Sequence, residues 1–164
     1  MIAYIKGQLL SVYAHSLIVQ TTGGVGYQIF VPESLLSSPV DSVIELHVHT
    51  HVREGEIALY GFSQVGEKQL FELLIKTSGV GPKLGMAILS HISAVQLIKV
   101  INQQDANALT AVPGIGKKTA AKLCLDMRDY LKKYPVTDLA AADISTESVA
   151  VPVSPRDELL SALV

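Results

Sequence analysis

Two short turns, Gly79-Val80-Gly81 and Gly114-Ile115-Gly116, stand thirty-five residues apart, and their flanks repeat in the same register: Leu74 with Leu109, Lys83 with Lys118, Ile88 with Leu123. Each copy reads as an apolar helical stretch, a Gly-apolar-Gly turn and a second helix opened by a basic residue. The glycines permit positive φ and let a ligand come close to the main chain. The apolar residue between them can fold back into the gap between the helices. Amides at the start of the second helix then lack internal partners, and the helix dipole favours an anion there. This is the chemistry of phosphate capture without base readout. The candidate binding set is Gly79, Val80, Gly81 and Lys83 in the first copy, and Gly114, Ile115, Gly116, Lys117, Lys118 and Thr119 in the second. A single glycine turn is more often a plain interhelical connection. Repetition with lysine at the same offset favours phosphate binding.

Other residues invite chemistry and give it weaker support. His47, His49 and His51 alternate along a strand and share a face. Three imidazoles on one face can hold zinc or nickel. Without a nearby carboxylate the plainer reading is a solvated strand face, with Ile44, Leu46, Val48 and Val52 on the other side. Glu54 and Glu56 flank Gly55, and the plainer reading of this pair is a charged turn. A nuclease metal pair would need further carboxylates converging from elsewhere. Cys124 is the only cysteine and lies among apolar helix positions, so it reads as a core residue, with no intrachain disulfide and no cysteine-based zinc site. No P-loop is present, so ATP-driven work would belong to a partner. We expect no catalytic residues, no metal and no cofactor.

Positioning these groups requires two kinds of architecture. Residues 1–62 carry several short alternating segments broken by Gly23-Gly24 and by Pro32 to Pro39. Five strands with a short helical connection at Pro32 to Leu36 suit an OB-type barrel. Over 63–134 the period turns helical. Leu70, Phe71, Leu73 and Leu74 form one face, Ser93-Ala94-Val95-Gln96 reads as a capping box, and Asp105 can cap a short helix. The last helix is expected from about Lys117 to Lys133, burying Ala120, Leu123, Met127 and Leu131. Residues 135–153 read as a flexible linker. Residues 154–164, with Ser154 at the N-cap and Pro155 at N1, read as the first helix of a truncated C-terminal domain.

Charge follows these segments. The chain carries −2 overall, but 1–62 carry −3, 63–134 carry +5 and 135–164 carry −4. The positive charge coincides with the repeated turns, as a footprint on phosphate requires. No apolar run is long enough to cross a bilayer, and the first residues lack the pattern of a signal peptide, so a cytoplasmic location is expected.

Taken together, Gly23-Gly24-Val25-Gly26-Tyr27, Thr50-His51-Val52-Arg53-Glu54, Leu59-Tyr60-Gly61-Phe62, Ile75 to Lys83 and Val112 to Ala120 resemble the RuvA family, the DNA-binding subunits of the bacterial Holliday-junction branch-migration complex. The resemblance covers nearly the whole chain. It implies an OB-fold barrel that assembles as a homotetramer, or as an octamer, followed by tandem helix-hairpin-helix motifs. It further implies a linker and a small C-terminal helical domain that engages the hexameric ATPase RuvB, with the resolvase RuvC as a second partner. The tetramer would hold a four-way junction open and square in recombination, repair and the SOS response, with strands passing over an acidic turn at the centre. Here that turn would be Glu54 and Glu56, separated by Gly55 where the family commonly has adjacent acids. With the C-terminal domain missing beyond Val164, this chain is not expected to engage the motor. Rival readings remain. A helix-hairpin-helix DNA glycosylase or structure-specific nuclease would need a base pocket or metal cluster besides the hairpins. A general single-strand binder would need exposed stacking aromatics on the barrel. Tyr4, Tyr13, Tyr27 and Phe30 look few and scattered for that role.

Overall fold

The structure, a computed structural model, describes residues 1–136. Residues from 137 onward lie outside the described residues, and with them most of the expected linker and all of the expected 154–164 helix. The N-terminal part forms five strands: β1 (Tyr4–Val12), β2 (Ser16–Gln20), β3 (Gly26–Phe30), β4 (Val43–Arg53) and β5 (Glu56–Phe62). They close into a barrel in the order β1-β2-β3-β5-β4, with β4 returning to β1.

Closure rests on the length of β1. Its first half pairs antiparallel with β4, Tyr4 opposite His47 through Gln8 opposite Val43. Its second half pairs with β2, ending at Val12 opposite Leu17. A register shift between Leu9 and Ser11 bends the strand from one neighbour to the other. Alternation decides what fills the interior. Ile5 and Leu9 from β1, Leu17 and Val19 from β2, Ile29 from β3, Leu46 and Val48 from β4 and Leu59 from β5 form one apolar core. A single 3-10 turn, Glu33–Leu35, occupies the connection after β3. The expected OB-type barrel is therefore present.

Helices follow: α1 (Val65–Lys76), α2 (Pro82–His91), α3 (Ala94–Gln103), α4 (Ala106–Leu109) and α5 (Lys117–Lys133). Pro82 sits at the first position of α2, where its missing N–H costs nothing. Asp105 Oδ1 accepts from the Ala108 amide at 3.3 Å, so that cap forms as expected; Ser93 Oγ accepts from the Gln96 amide at 3.3 Å, but among the described residues the Gln96 side chain does not return the bond, so the expected capping box is only half made. A capping interaction missed in the sequence opens α1, where Glu67 Oε2 accepts from the Gln64 amide at 3.2 Å and from Ser63 Oγ at 2.8 Å. The helices share a second core containing Leu70, Leu74, Ile88, Leu97, Leu109, Leu123 and Met127. Leu131 only packs against it half-buried, short of the full burial expected for it.

The first helix packs on the barrel through one aromatic side chain and its neighbours. Phe71 of α1 is fully buried, with ring centroids 5.0 Å from Phe62, 5.1 Å from Tyr60 and 5.6 Å from His49. Beside it His49 Nδ1 meets Glu72 Oε1 at 3.1 Å. The histidine face of β4 is thus not the solvated face expected from alternation. Its three imidazoles are half-buried, and His49 carries the packing of barrel against helix. Among the described residues no group of histidines, cysteines and carboxylates is arranged to hold a metal ion.

Candidate nucleic-acid interface

The two turns are the same object built twice. Gly79 has φ +90° and Gly114 φ +92°, values that L side chains rarely adopt. The hydrogen bonds repeat at the same offset. Thr77 N donates to Leu74 O at 3.0 Å and Val112 N to Leu109 O at 3.1 Å; Val80 N donates to Thr77 O at 3.0 Å and Ile115 N to Val112 O at 3.1 Å. Val80 and Ile115 are buried in the helical core, plugging the gap between helices as their sequence position indicated. Gly81 (φ −89°, ψ 174°) caps α2, and Gly116 (φ −85°, ψ 166°) caps α5.

What the caps leave open matters most. The first backbone bonds inside the two helices are Gly85 N to Gly81 O and Ala120 N to Gly116 O, each 2.9 Å. Neither cap residue supplies a side-chain acceptor to the amides before them. Those amides belong to Lys83 and Leu84 in the first hairpin, and to Lys117, Lys118 and Thr119 in the second. Pro82 removes one donor from the first copy. The helix N-terminus adds partial positive charge at both places.

Gly79 and Gly114 are explained from within, by their positive φ. Gly81 and Gly116 are not. Their φ values are ordinary, and a Cβ built on either meets no atom within 4 Å. Glycine there frees space outside the protein, where a ligand would approach the main chain. The hairpins also touch each other: a Cβ on Gly114 would lie 3.5 Å from Cδ1 of Leu84, on α2 of the first copy. Both amide clusters therefore belong to neighbouring parts of one surface. Lys83, Lys117 and Lys118 are exposed beside them, and Thr119 is half-buried at the third position of α5.

The acidic turn lies elsewhere, at the far end of the β4–β5 hairpin. Arg53 pairs with Glu56 across the strands, leaving Glu54-Gly55 as a two-residue turn in which Gly55 takes φ +78°. The sequence places both acids on the turn. The structure puts Glu54 there and Glu56 at the first position of β5, because the ladder runs one pair further than expected. Arg53 Nε donates to His51 Nε2 at 2.9 Å. Burial, then the charges of Arg53 and His49, hold the His51 imidazole below its usual value, which suits an acceptor nitrogen. Among the described residues neither Glu54 nor Glu56 forms a salt bridge. Val52 and Ile57, opposite each other beneath the tip, are also exposed.

An aromatic pair not apparent in the sequence lies on the barrel. Phe30 and Tyr60 meet where β3 runs parallel to β5, their rings stacked with centroids 5.6 Å apart. Cys124 is buried as expected; burial, then the Asp105 charge, pushes its thiol up. No single helix among the described residues is long and apolar enough to cross a membrane.

Comparison with known proteins bears on both parts of the chain. The family model described as the RuvA N-terminal domain matches residues 1–61. One described as a SAM-like helix-hairpin-helix tandem matches residues 71–129. The chain is 38% identical over 173 residues to the Holliday junction branch migration complex subunit RuvA of Aliivibrio fischeri, with 100% of this chain and 83% of that protein covered. It is 42% identical over 166 residues to the protein of the same name from Syntrophotalea carbinolica, covering 100% of this chain and 81% of that one. With the Idiomarina loihiensis protein of that name it shares 41% identity over 170 residues, covering 99% and 82%.

Proposed function

The chain belongs to the RuvA family, and from that premise we propose that it binds four-way DNA junctions as a non-catalytic subunit of a branch-migration machine. The observation that carries this reading is the pair of matching hairpins with outward amides, each capped by a glycine that the fold itself does not need. Each would hold one phosphate through the amides following Gly81 or Gly116, with Lys83, Lys117 and Lys118 adding charge. Such interactions position a duplex without reading its sequence, as a protein working on any recombining DNA requires.

The finer features are part of the same proposal. Residues 1–62 act as the assembling barrel and 63–134 as the DNA grip. Four chains surround one junction, with Glu54 and Glu56 of each near the crossover, where like charge keeps the strands apart. ATP hydrolysis comes from a motor of the RuvB kind, and a resolvase of the RuvC kind cuts the junction later. The hairpins alone also suit a DNA glycosylase or nuclease, but no observation favours that reading.

Native mass measurement, with and without a four-way junction, tests assembly and ligand together. A tetramer that gains the mass of one junction supports the proposal. A chain that stays monomeric and binds junction no better than its separate duplex arms overturns it. Cleavage of the junction with magnesium would move the assignment to the enzyme reading.

A further inference from the structure

A cleft of about 510 Å³ separates the barrel from one face of α2, within the range of sites that take small organic ligands. Its barrel wall holds Phe30 and Tyr60 with Ala14, Val31 and Leu36 around them; Tyr60 also packs on Phe71 behind it, so Phe30 is the ring that would take a stacked partner. Its helix wall is a single stripe of α2, with Lys83, Met86, Ala87, Ser90 and His91 at the i, i+3, i+4, i+7 and i+8 positions. The two walls are tied by one hydrogen bond, from the Glu33 amide to Ser90 Oγ at 3.2 Å.

Few polar groups reach this apolar space, and each has a defined capacity. Ser90 Oγ accepts from Glu33 and keeps its own proton to donate. His91 Nδ1 lies 3.0 Å from the Ala87 carbonyl, so Nδ1 donates there, and in the neutral ring Nε2 is an acceptor. Among the described residues Glu33 is the one carboxylate on the lining. Lys83 is the one fixed cation there among the described residues, and it also belongs to the first hairpin. The cleft therefore opens beside a phosphate grip and offers an aromatic wall, a donor and an acceptor.

We propose that this cleft receives one unstacked nucleobase, whose own phosphate is held by Lys83 and the amides after Gly81. The inference rests on the hairpin reading above and deepens it. Stacking needs only a π-face and so tolerates any base. A fully paired duplex has no base to offer, whereas a bulge or a strained crossover does. The cleft thus adds preference for distorted DNA to a grip that is blind to sequence.

The experiment compares a plain duplex with the same duplex carrying one bulged 2-aminopurine, at matched salt, against the wild-type protein and Ala87→Trp. The tryptophan would fill the cleft from the helix side and leave the hairpin amides untouched. The wild type should prefer the bulged duplex by about 10-fold, the scale of one base–aromatic stack, and quench the 2-aminopurine. Ala87→Trp should lose the preference and the quenching while holding plain duplex as before. As a measurement independent of the variant's folding, deoxyadenosine monophosphate added to the wild type should shift the imidazole NMR signals of His15 and His91, both on the lining. Equal binding of the two duplexes with no quenching overturns the cleft proposal and leaves the phosphate grip standing. A tryptophan variant that changes native mass but not the preference assigns the cleft to a second copy of the chain, and likewise overturns it. Failure of the wild type to bind any of these DNAs, or a junction, overturns the hairpin reading and this one with it.

Discussion

Replacing Gly116 by aspartate should raise stability and abolish one phosphate grip at once. Residue 116 has the extended dihedrals of an N-cap, and a Cβ there meets nothing within 4 Å, so the substitution introduces no strain. An aspartate carboxylate in this position accepts from the amides at the second or third residue of α5, those of Lys118 and Thr119. Aspartate improves on glycine as a cap by a few tenths of a kcal/mol, and its charge at the helix N-terminus adds about 0.3–1 kcal/mol. The sum corresponds to a rise in Tm of about 2–4 °C. The same carboxylate occupies the amides that a phosphate would need and repels its charge. Removing charge-assisted hydrogen bonds worth about 1.5–3 kcal/mol weakens junction binding roughly 10- to 150-fold. The slope of log K against log salt should fall by about 0.9 for each phosphate no longer held. Thermal unfolding and fluorescence anisotropy across a salt series measure both effects. As a contrast, Gly114→Ala places a side chain at φ +92° and should cost about 1–2 kcal/mol of stability. If Gly116→Asp binds junctions with unchanged affinity and salt slope, the amide cluster is not a phosphate site.

Three further outcomes are expected. The double substitution Glu54→Gln with Glu56→Gln should tighten junction binding and reduce discrimination against plain duplex, since unpaired like charge at the crossover is removed; looser binding at matched salt would count against the repulsive role. Thr77 is buried with no hydrogen-bond partner for Oγ1 among the described residues, so Thr77→Val should stabilise the protein by about 1 kcal/mol in denaturant titrations and leave DNA affinity unchanged. Burial raises the Cys124 thiol above its ordinary value of 9.0, so the folded protein holds that proton more tightly than the unfolded chain. The resulting stability is complete below about pH 9 and is lost as pH rises through the raised folded value; denaturation midpoints for the wild type should fall more steeply there than those of Cys124→Ala.

The repeated hairpins are readable in the sequence because everything they need is local. A glycine at positive φ, a plug residue and the next helix start all fall within a few residues, and duplication makes the pattern visible twice. The strands of the barrel are readable for a similar reason, since alternation marks each one separately. What joins the parts is not readable. Alternation correctly gathers His47, His49 and His51 on one face but cannot show that Phe71 of α1 packs on His49 in the middle of it, because that packing depends on where a distant helix docks. Phe30 and Tyr60 look unrelated at thirty residues' separation, and only the parallel meeting of β3 with β5 stacks them. At the acidic tip the difference is one ladder pair, enough to move Glu56 from turn to strand.

Pro82 gives the two hairpins unequal holds. The first offers one main-chain donor fewer than the second, so under the proposed function its phosphate leaves first. A duplex advancing through such a subunit exchanges each phosphate for a chemically identical one, and the states before and after a step have the same energy. Only the local barrier of exchanging one phosphate for the next remains, and the weaker hold lowers it. Seen this way, the proline sets friction: the second hairpin keeps the DNA in its track while the first lets it slip.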